Sequence, residues 1–455
     1  MSSKKVPIVA IVGRANVGKS SLFNAVLHRR EAIVANEPGT TRDSITAKAS
    51  WKEQDFWLVD TAGMKDPQDE FEASIQDQIT EAADAADVIL VVIEADVVIT
   101  EEDRRVAKMA LKSRKPVMLV VNKLDKAKGA TEDDYKRLGI KQIFLTSVPQ
   151  YRGIVELLDQ LATDLPKATI REDSDRIHLA ILGRPNVGKS QLFNTLAKKQ
   201  QAVVADRAGT TRDVNHSVIK FEGREIDLMD TAGIRRSGKI EKGVERFSVL
   251  RSLAAIEQSD ICLLLIDVNE PSVALDQKIA GMIKEAGKGL VLVVSKWDSI
   301  DKTPYTRDQL APIIKRDFIF VPWAPLIFTS SVTGQNVARI FELVLEIEQT
   351  RHKEVKTTEL NRWLRHTIDR HPPAGLKNRQ PKLRYITQED YQGAPSFRIF
   401  GSQLKFLHWS YRRHLERTFR EDFGFDGTPV KFWYLDQHTD EARPKGQKHS
   451  SRKAV

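Results

Sequence analysis

Residues 13–20 read GRANVGKS, and residues 183–190 read GRPNVGKS. Each loop follows an apolar run (Pro7–Val12 and Leu179–Leu182), and the first opens the amphipathic stretch Ser20–Arg29. A G-x-x-x-x-G-K-S loop set between a strand and a helix is a phosphate cradle. Its glycines let successive backbone N–H groups face an anion, and the helix N-terminus adds partial positive charge. The surroundings repeat as well. TTRD at Thr40–Asp43 recurs at Thr210–Asp213, and DTAG at Asp60–Gly63 recurs at Asp230–Gly233, all displaced by 170 residues like the loops. NKLD at Asn122–Asp125 is matched by SKWD at Ser295–Asp298, displaced by 173. Four motifs in one order at near-constant spacing indicate a duplicated domain.

Between the motifs, apolar runs alternate with amphipathic segments. In the first copy Pro7–Val12, Phe56–Val59, Val88–Ile93, Val117–Val121 and Gln142–Leu145 read as strands, and Glu101–Lys112 as a helix. Leu179–Leu182, Glu225–Met229, Ile261–Ile266, Leu290–Val294 and Leu326–Thr329 repeat the pattern. This alternation predicts an α/β fold: two tandem P-loop domains (1–163 and 177–350), each a mostly parallel sheet with helices on both faces. The polar, proline-punctuated stretch 164–176 reads as their linker. From 351 to 437 the pattern becomes a small α+β module. It comprises a helix Thr357–Arg370 halted before Pro372-Pro373, strands Pro381–Thr387 and Ser396–Phe400, a long helix Leu404–Phe423 and a strand Val430–Leu435. The long helix rests on Leu407, Tyr411, Leu415 and Phe419 at i, i+4 spacing. Residues 438–455 carry almost nothing apolar to bury and read as a disordered basic tail.

Across 455 residues the formal net charge is +9. Residues 351–455 hold 22 basic and 12 acidic side chains, so the other 350 are nearly neutral, with 49 against 50. A local excess of this size suggests a polyanionic partner such as nucleic acid. The longest apolar runs fall far short of the ~18 residues of a membrane span, and the N-terminus lacks a signal-peptide cleavage pattern. The single cysteine, Cys262, sits in the strand-like DICLLLID and reads as a core thiol. A cytoplasmic chain, monomeric when free, fits these features.

The motif chemistry is specific. Lys19 and Lys189 would reach the β- and γ-phosphates, and Ser20 and Ser190 would ligate magnesium. Asp60 and Asp230 would hold the same ion through water. Gly63 and Gly233 can offer a backbone N–H to a γ-phosphate, an interaction that exists only before hydrolysis. Asp125 and Asp298 can accept hydrogen bonds from the N1–H and exocyclic amine of guanine, donors that adenine lacks at those places. The constellation therefore predicts GTP over ATP. Its loop and switch members are Gly13, Arg14, Ala15, Asn16, Val17, Gly18, Lys19, Ser20, Asp60, Thr61, Ala62, Gly63 and Met64, with Asn122, Lys123, Leu124 and Asp125 at the base. The second set is Gly183, Arg184, Pro185, Asn186, Val187, Gly188, Lys189, Ser190, Asp230, Thr231, Ala232, Gly233 and Ile234, with Ser295, Lys296, Trp297 and Asp298.

These motifs resemble those of the translation-factor-like GTPases. Two such domains followed by a small basic one resemble the double-Era-like GTPases, the EngA/Der family, over about residues 6–437. The C-terminal stretch is similar too, in Tyr385–Gln388, Pro395–Phe400, Ser410–Arg413 and Gly427–Pro429. The resemblance implies a KH-like C-terminal domain, association with ribosomes and their rRNA, and a role in assembling the large ribosomal subunit. It also implies that Thr41 and Thr211 ligate magnesium and that Asn16 and Asn186 help hold a potassium ion beside the phosphates. Backbone carbonyls near Asn36–Glu37 and Asp206–Arg207 would complete that potassium site. Met64 and Ile234 stand where many GTPases place a water-orienting glutamine; neither can do that work, so the cation is expected to offset transition-state charge.

The chain departs from the family pattern in places. Ser295 replaces asparagine and is expected to be too short for the full bracing role. Ser147-Val148 and Ser330-Ser331 stand for Ser-Ala, Ala208 for the proline at Pro38, and Glu94 for an aspartate. In the basic domain Arg379, Lys382, Arg384, Arg398, Arg412 and Arg413 are candidate RNA contacts. The interleaved Tyr385, Phe397, Phe406, Trp409 and Tyr411 read mostly as core. GFDG at Gly424–Gly427 fits the letters of a KH clamp but falls between a helix and a strand. Competing functions are weaker: an RNA-modifying enzyme would need a cofactor site and a reactive cysteine, and a membrane-remodelling GTPase an amphipathic anchor. The alternative of the same class is a GTPase switch acting on another structured RNA such as tRNA.

Overall fold

The computed structural model describes residues 6–27, 46–52, 54–61, 75–127, 129–166, 176–199, 215–230, 249–271, 273–301, 303, 305–376, 379–389 and 393–436. Its contacts divide the chain into two compact units. One runs to Gln349 and includes Gly427–Pro429; the other runs from Thr350 to Asp426 and from Val430 onward.

The first unit holds both copies. Copy one is built from β1 (Ile8–Val12), α1 (Lys19–Leu27), β2 (Thr46–Trp51), β3 (Gln54–Asp60), α2 (Ile75–Ala85), β4 (Val88–Glu94), α3 (Glu101–Lys112), β5 (Val117–Asn122), β6 (Gln142–Leu145) and α4 (Ile154–Asp164). Copy two follows with β7 (Arg176–Gly183), α5 (Lys189–Lys199), β8 (Asn215–Phe221), β9 (Arg224–Asp230), α6 (Val249–Gln258), β10 (Ile261–Asp267), α7 (Ala274–Ala286), β11 (Gly289–Ser295), α8 (Thr306–Asp317), β12 (Leu326–Phe328) and α9 (Arg339–Arg351). The first sheet runs β2-β3-β1-β4-β5-β6, and the second has the matching order β8-β9-β7-β10-β11-β12. All pairs are parallel except β2–β3 and β8–β9. Helices cover both faces, so neighbouring residues of β1 enter opposite cores. Ile8, Ala10 and Val12 pack on one side and Val9 and Ile11 on the other, all fully buried. That is why the central strands read as continuous apolar runs. The edge strands β2 and β8 escaped the sequence reading because polar residues interrupt them, as in TAKASW and NHSVIKF. Cys262 is fully buried on β10, as its setting predicted. Among the described residues no helix is long and apolar enough to cross a membrane.

The second unit contains α10 (Thr357–Arg370), β13 (Lys382–Glu389), β14 (Ser396–Ser402), α11 (Trp409–Phe423) and β15 (Lys431–Asp436). The sheet is mixed, with β13–β14 antiparallel and β14–β15 parallel. Trp363, Phe397, Phe419 and Phe425 form its aromatic centre through edge-to-face and stacked contacts. The long helix expected over Leu404–Phe423 is corrected. Gln403 takes a left-handed conformation, Leu404–Phe406 form one 3₁₀ turn, and the helix starts afresh at Trp409. His408 is its N-cap, with the ring nitrogen accepting from the Ser410 N–H. Leu404 and Leu407 are buried but precede the cap, so apolar spacing ran past the true start. GFDG lies between α11 and β15.

Candidate functional site

Each sheet gathers its motifs at the carboxyl ends of its central strands. β1 leads into Gly13, β3 ends on Asp60 and β5 ends on Asn122. β1 lies between β3 and β4, the point where strand order reverses and where α/β sheets open a ligand crevice. The loop can form because two glycines permit close approach. A Cβ on Gly13 would lie 2.4 Å from the Val92 carbonyl oxygen, and one on Gly18, at φ +97°, 2.3 Å from Asn122 Nδ2. Lys19 is buried, and its Nζ donates to the Gly13 and Arg14 carbonyl oxygens at 2.8 and 2.6 Å. Burial pushes its ammonium below the ordinary pKa, against the pull of Asp60. Ser20 Oγ donates to Asp60 Oδ2 at 2.5 Å, and Thr61 Oγ1 donates to the Ile11 carbonyl oxygen at 2.7 Å. Asn122 Nδ2 braces the loop through the Val17 carbonyl oxygen at 3.1 Å, and Lys123 Nζ reaches the Asn16 carbonyl oxygen at 2.7 Å. At the base-selecting end, Ser147 Oγ donates to Asp125 Oδ1 at 2.6 Å and holds that carboxyl below its usual range. The Leu124 N–H donates to the Thr146 carbonyl oxygen at 3.0 Å, locking the NKLD turn to the end of β6.

Copy two reproduces this arrangement with changes. Lys189 Nζ donates to the Gly183 and Arg184 carbonyl oxygens at 3.2 and 2.7 Å. Ser330 Oγ donates to Asp298 Oδ1, and the Trp297 N–H to the Thr329 carbonyl oxygen at 3.1 Å. Ser295 was expected to fall short as a brace. Its Oγ instead lies 2.8 Å from the Val187 carbonyl oxygen, so the loop brace survives. Its one hydroxyl proton is shared with the Ile266 carbonyl oxygen at 3.2 Å, and nothing stands within 4 Å of a Cβ on Gly188. Lys296 Nζ pairs with Asp267 Oδ2 at 2.6 Å. An open cavity of 290 Å³ beside the loop is lined by Arg184, Pro185, Asn186, Val187, Asp267, Asn269, Glu270 and Lys296. Asn16 and Asn186 are exposed, at φ +65° and +62°. Ala15 is exposed, whereas Val17 and Val187 are buried loop anchors.

Sequence reasoning missed a brace on each loop. Arg14 donates to Asp103 Oδ1 at 3.2 Å and to Glu94 Oε2 at 3.1 Å. Against the opposing pull of burial, Lys123 and Arg14 hold Glu94 below its usual pKa. In copy two Arg184 donates to Asp276 at 3.1 Å and Glu270 at 2.7 Å. Asp103 also closes a capping box with Thr100 at the start of α3. The corresponding α7 begins after Val273, which has no side-chain acceptor. Asp276 Oδ1 is therefore left without a partner in the interior, and burial pushes that carboxyl up to about 7. The T-x-x-D of Thr100–Asp103 was a readable cap signal; its link to the loop arginine was not.

Thr41, Thr211, Ala62, Gly63, Met64, Thr231, Ala232, Gly233 and Ile234 lie outside the described residues. So do Asn36–Glu37, Pro38, Asp206–Arg207, Ala208 and the tail 438–455. Ser190 is exposed at the start of α5, and Asp230 is buried at the end of β9. Val148 and Ser331 follow the two serines that hold the base-selecting carboxylates.

In the second unit Lys382, Arg384 and Arg398 are exposed on β13 and β14, with Arg398 paired to Glu389. Arg379 lies over Phe406 at 5.7 Å, Arg412 over Tyr434 at 4.7 Å and Arg413 over Trp409 at 4.8 Å. The expectation that most aromatics here are core is corrected. Phe397 and Tyr411 are buried and Phe406 half-buried, whereas Tyr385 and Trp409 are 45% and 46% exposed. They fall on the outer face of β13 and on the first turn of α11, positions that periodicity alone did not separate from the core.

Comparison with known proteins agrees with this geometry. Residues 8–123 and 178–296 each match the family described as 50S ribosome-binding GTPase. Residues 354–434 match the KH-domain-like C-terminal domain of EngA bacterial GTPase enzymes. The chain is 42% identical to GTPase Der of Caldanaerobacter subterraneus subsp. tengcongensis over 93% of this chain and 97% of that protein. The chain belongs to the Der (EngA) GTPase family. Der GTPases from Chloroflexus aggregans (40% identical, covering 96% of this chain and 99% of that one) and Synechococcus sp. WH7803 (41%, covering 96% and 97%) are similarly close. As a Der-family GTPase this chain binds GTP and hydrolyses it to GDP and phosphate. Its fold is two P-loop GTPase domains and a KH-like domain.

Proposed function

We propose that this chain is a cytoplasmic GTP-driven assembly factor for the large ribosomal subunit. The reading is supported by the pairing of two phosphate loops, each with a serine-held carboxylate at its base-selecting turn, with a KH-like domain whose exposed arginines lie beside aromatic rings. Stacked arginine–aromatic pairs at a surface suit single-stranded or looped rRNA.

In each site Lys19 or Lys189 neutralises the β- and γ-phosphates, and Asp125 or Asp298 selects guanine. The serine hydroxyl beside an aspartate at Ser20 and Asp60 fits a hard divalent cation. Ser20, Asp60 and Thr41, with Ser190, Asp230 and Thr211 in copy two, would hold magnesium, which supplies charge neutralisation at the phosphates. Asn16 and Asn186, exposed at the loop, would hold potassium. In the reaction a water oxygen bonds to the γ-phosphorus and the bond to the bridging oxygen breaks. GDP leaves with the bridging oxygen's charge, and the water's proton passes to phosphate. Gly63 and Gly233 would each offer the γ-phosphate a backbone N–H, an interaction that hydrolysis removes.

The test is sedimentation of the full chain with purified ribosomal subunits, under a non-hydrolysable GTP analogue, GDP or no nucleotide. Large-subunit association under the analogue alone supports the proposal. Equal association in all three, or association with isolated tRNA in preference to subunits, overturns it and favours the other structured-RNA reading.

A further inference from the structure

We propose that Asp276 is a positioning residue of the second phosphate loop, acting through Arg184, and that it makes nucleotide binding at that site alone depend on a proton. The inference rests on copy two binding GTP. Arg184 is the second residue of the loop, and its own carbonyl oxygen takes the Lys189 ammonium at 2.7 Å. Its guanidinium spans two carboxylates: Nε donates to Asp276 Oδ2 at 3.1 Å and Nη1 to Glu270 Oε2 at 2.7 Å. The two ends differ. The Glu270 side chain is 67% exposed and water competes for it, whereas Asp276 is fully buried in the first turn of α7. The buried end is therefore the one that fixes the loop.

Duplication supplies an internal control. In copy one Asp103 holds Arg14 in the same way. Its Oδ1 accepts from Arg14 Nε, and its Oδ2 accepts both the N–H and the hydroxyl of Thr100, at 3.0 and 2.8 Å. Three donors meet that carboxylate. Asp276 follows Val273 instead, is met by Arg184, and keeps Oδ1 without a partner. A buried anion so poorly met exchanges readily with its protonated form, in agreement with the raised carboxyl described above. The charged groups acting on it are Arg184, from the loop after β7, and Asp267 and Glu270, from the turn between β10 and α7. Lys296, just after β11, is engaged by Asp267, and Glu257 of α6 is taken up by the Val6 N–H and the Trp57 indole N–H. The second loop also leans harder on its arginine. In copy one Lys123 reaches the Asn16 carbonyl oxygen, whereas Lys296 goes to Asp267 and Ser295 divides one proton between two acceptors. Protonation of Asp276 removes the buried charge that holds Arg184, and the cost of ordering the loop then falls on nucleotide binding.

The test uses the full chain with one site read at a time. Asp125→Asn or Asp298→Asn places an amide donor where xanthine carries its 2-oxo group and guanine an amine. A fluorescent non-hydrolysable guanosine analogue then reads the unaltered site while a xanthosine analogue fills the other. Titration of the nucleotide's own phosphate is common to both sites, so the readout is the ratio of their affinities between about pH 8 and about pH 6. The ionised carboxylate favours binding, so acid opposes it: we expect site-two affinity to fall about fivefold relative to site one. Asp276→Asn keeps an acceptor for Arg184 but cannot ionise. It should lower site-two affinity about fivefold at the alkaline end and flatten the ratio. Val273→Thr offers Oδ1 a hydroxyl and should hold the alkaline affinity down to about pH 6. A merely structural role would change affinity without moving its pH dependence. A flat ratio with Asp276 and Val273 in place, a ratio that rises with acid, or a slope retained by Asp276→Asn overturns the proposal. Failure of the guanosine analogue to bind site two at any pH overturns the reading of that site, and the inference with it. Val273→Thr keeps the test open should Asp276→Asn not fold.

Discussion

Ser295→Asn should tighten GTP binding at the second site by about fivefold. In copy one Asn122 gives one donor to the Val17 carbonyl oxygen, and its side-chain oxygen lies 3.4 Å from Thr146 Oγ1. In copy two a single hydroxyl proton serves two carbonyl oxygens, those of Val187 and Ile266. Asparagine would give the Val187 carbonyl oxygen an unshared amide donor in place of a hydroxyl proton divided between two acceptors, a net of about 1 kcal/mol and so about a fivefold gain. Space exists for it: the region beside Gly188 that Asn122 fills beside Gly18 has no atom within 4 Å of a Cβ. The same geometry supplies an internal check. Gly188→Ala alone meets only the strain of φ +98°, but combined with Ser295→Asn it should also collide, as Ala at Gly18 would with Asn122 Nδ2. The two substitutions should therefore be non-additive by roughly 0.5–3 kcal/mol. The assay is fluorescent GTP-analogue titration of site two, with Asp125→Asn diverting site one to xanthosine nucleotides. Affinity unchanged or weakened by Ser295→Asn, or strict additivity with Gly188→Ala, would refute the reasoning.

Other outcomes follow from the same geometry. Val273→Thr should restore the capping box of α7 and give Asp276 Oδ1 a donor, stabilising copy two by about 1 kcal/mol in thermal unfolding. The Asp276 carboxyl, raised to about 7, binds its proton more tightly folded than unfolded. Its contribution is therefore most favourable below the ordinary carboxylate range and is lost as pH rises from about 4 to about 7. Val273→Thr should flatten that part of the stability profile, and an unchanged slope would count against the assignment. Turnover in potassium should exceed that in sodium, with the difference abolished by replacing Asn16 and Asn186 with alanine; equal rates in the two salts would remove the cation from the mechanism. Arg412→Ala with Arg413→Ala should weaken binding to rRNA fragments and lower the salt-dependence slope by up to about 2, one for each phosphate no longer neutralised. An unchanged slope would place the RNA surface elsewhere.

Phosphate loops and base-selecting turns are local chemistry, and so the chain itself announced them. Gly13 and Gly18 must be glycine for backbone reasons, Lys19 must sit at a helix start, and Asp125 needs only its own turn and the serine after β6. The duplication and the alternation of strand and helix were legible for a related reason, since each buried strand writes its burial into a continuous apolar run. Features set by partners distant in the chain were not. Periodicity carried the long C-terminal helix past its cap at His408, because Leu404 and Leu407 are buried by tertiary packing in a non-helical turn. It did not separate the exposed Trp409 and Tyr385 from the buried Phe397 and Tyr411, because burial of an aromatic depends on which sheet face meets a helix. Ser295 looked too short until the backbone brought the Val187 carbonyl oxygen within 2.8 Å. Glu257 reads as an ordinary helix-surface acid, like Asp84 at the matching position. Only the approach of the two copies, which brings the Trp57 indole N–H and the Val6 amide within hydrogen-bonding distance, buries one carboxylate and leaves the other exposed.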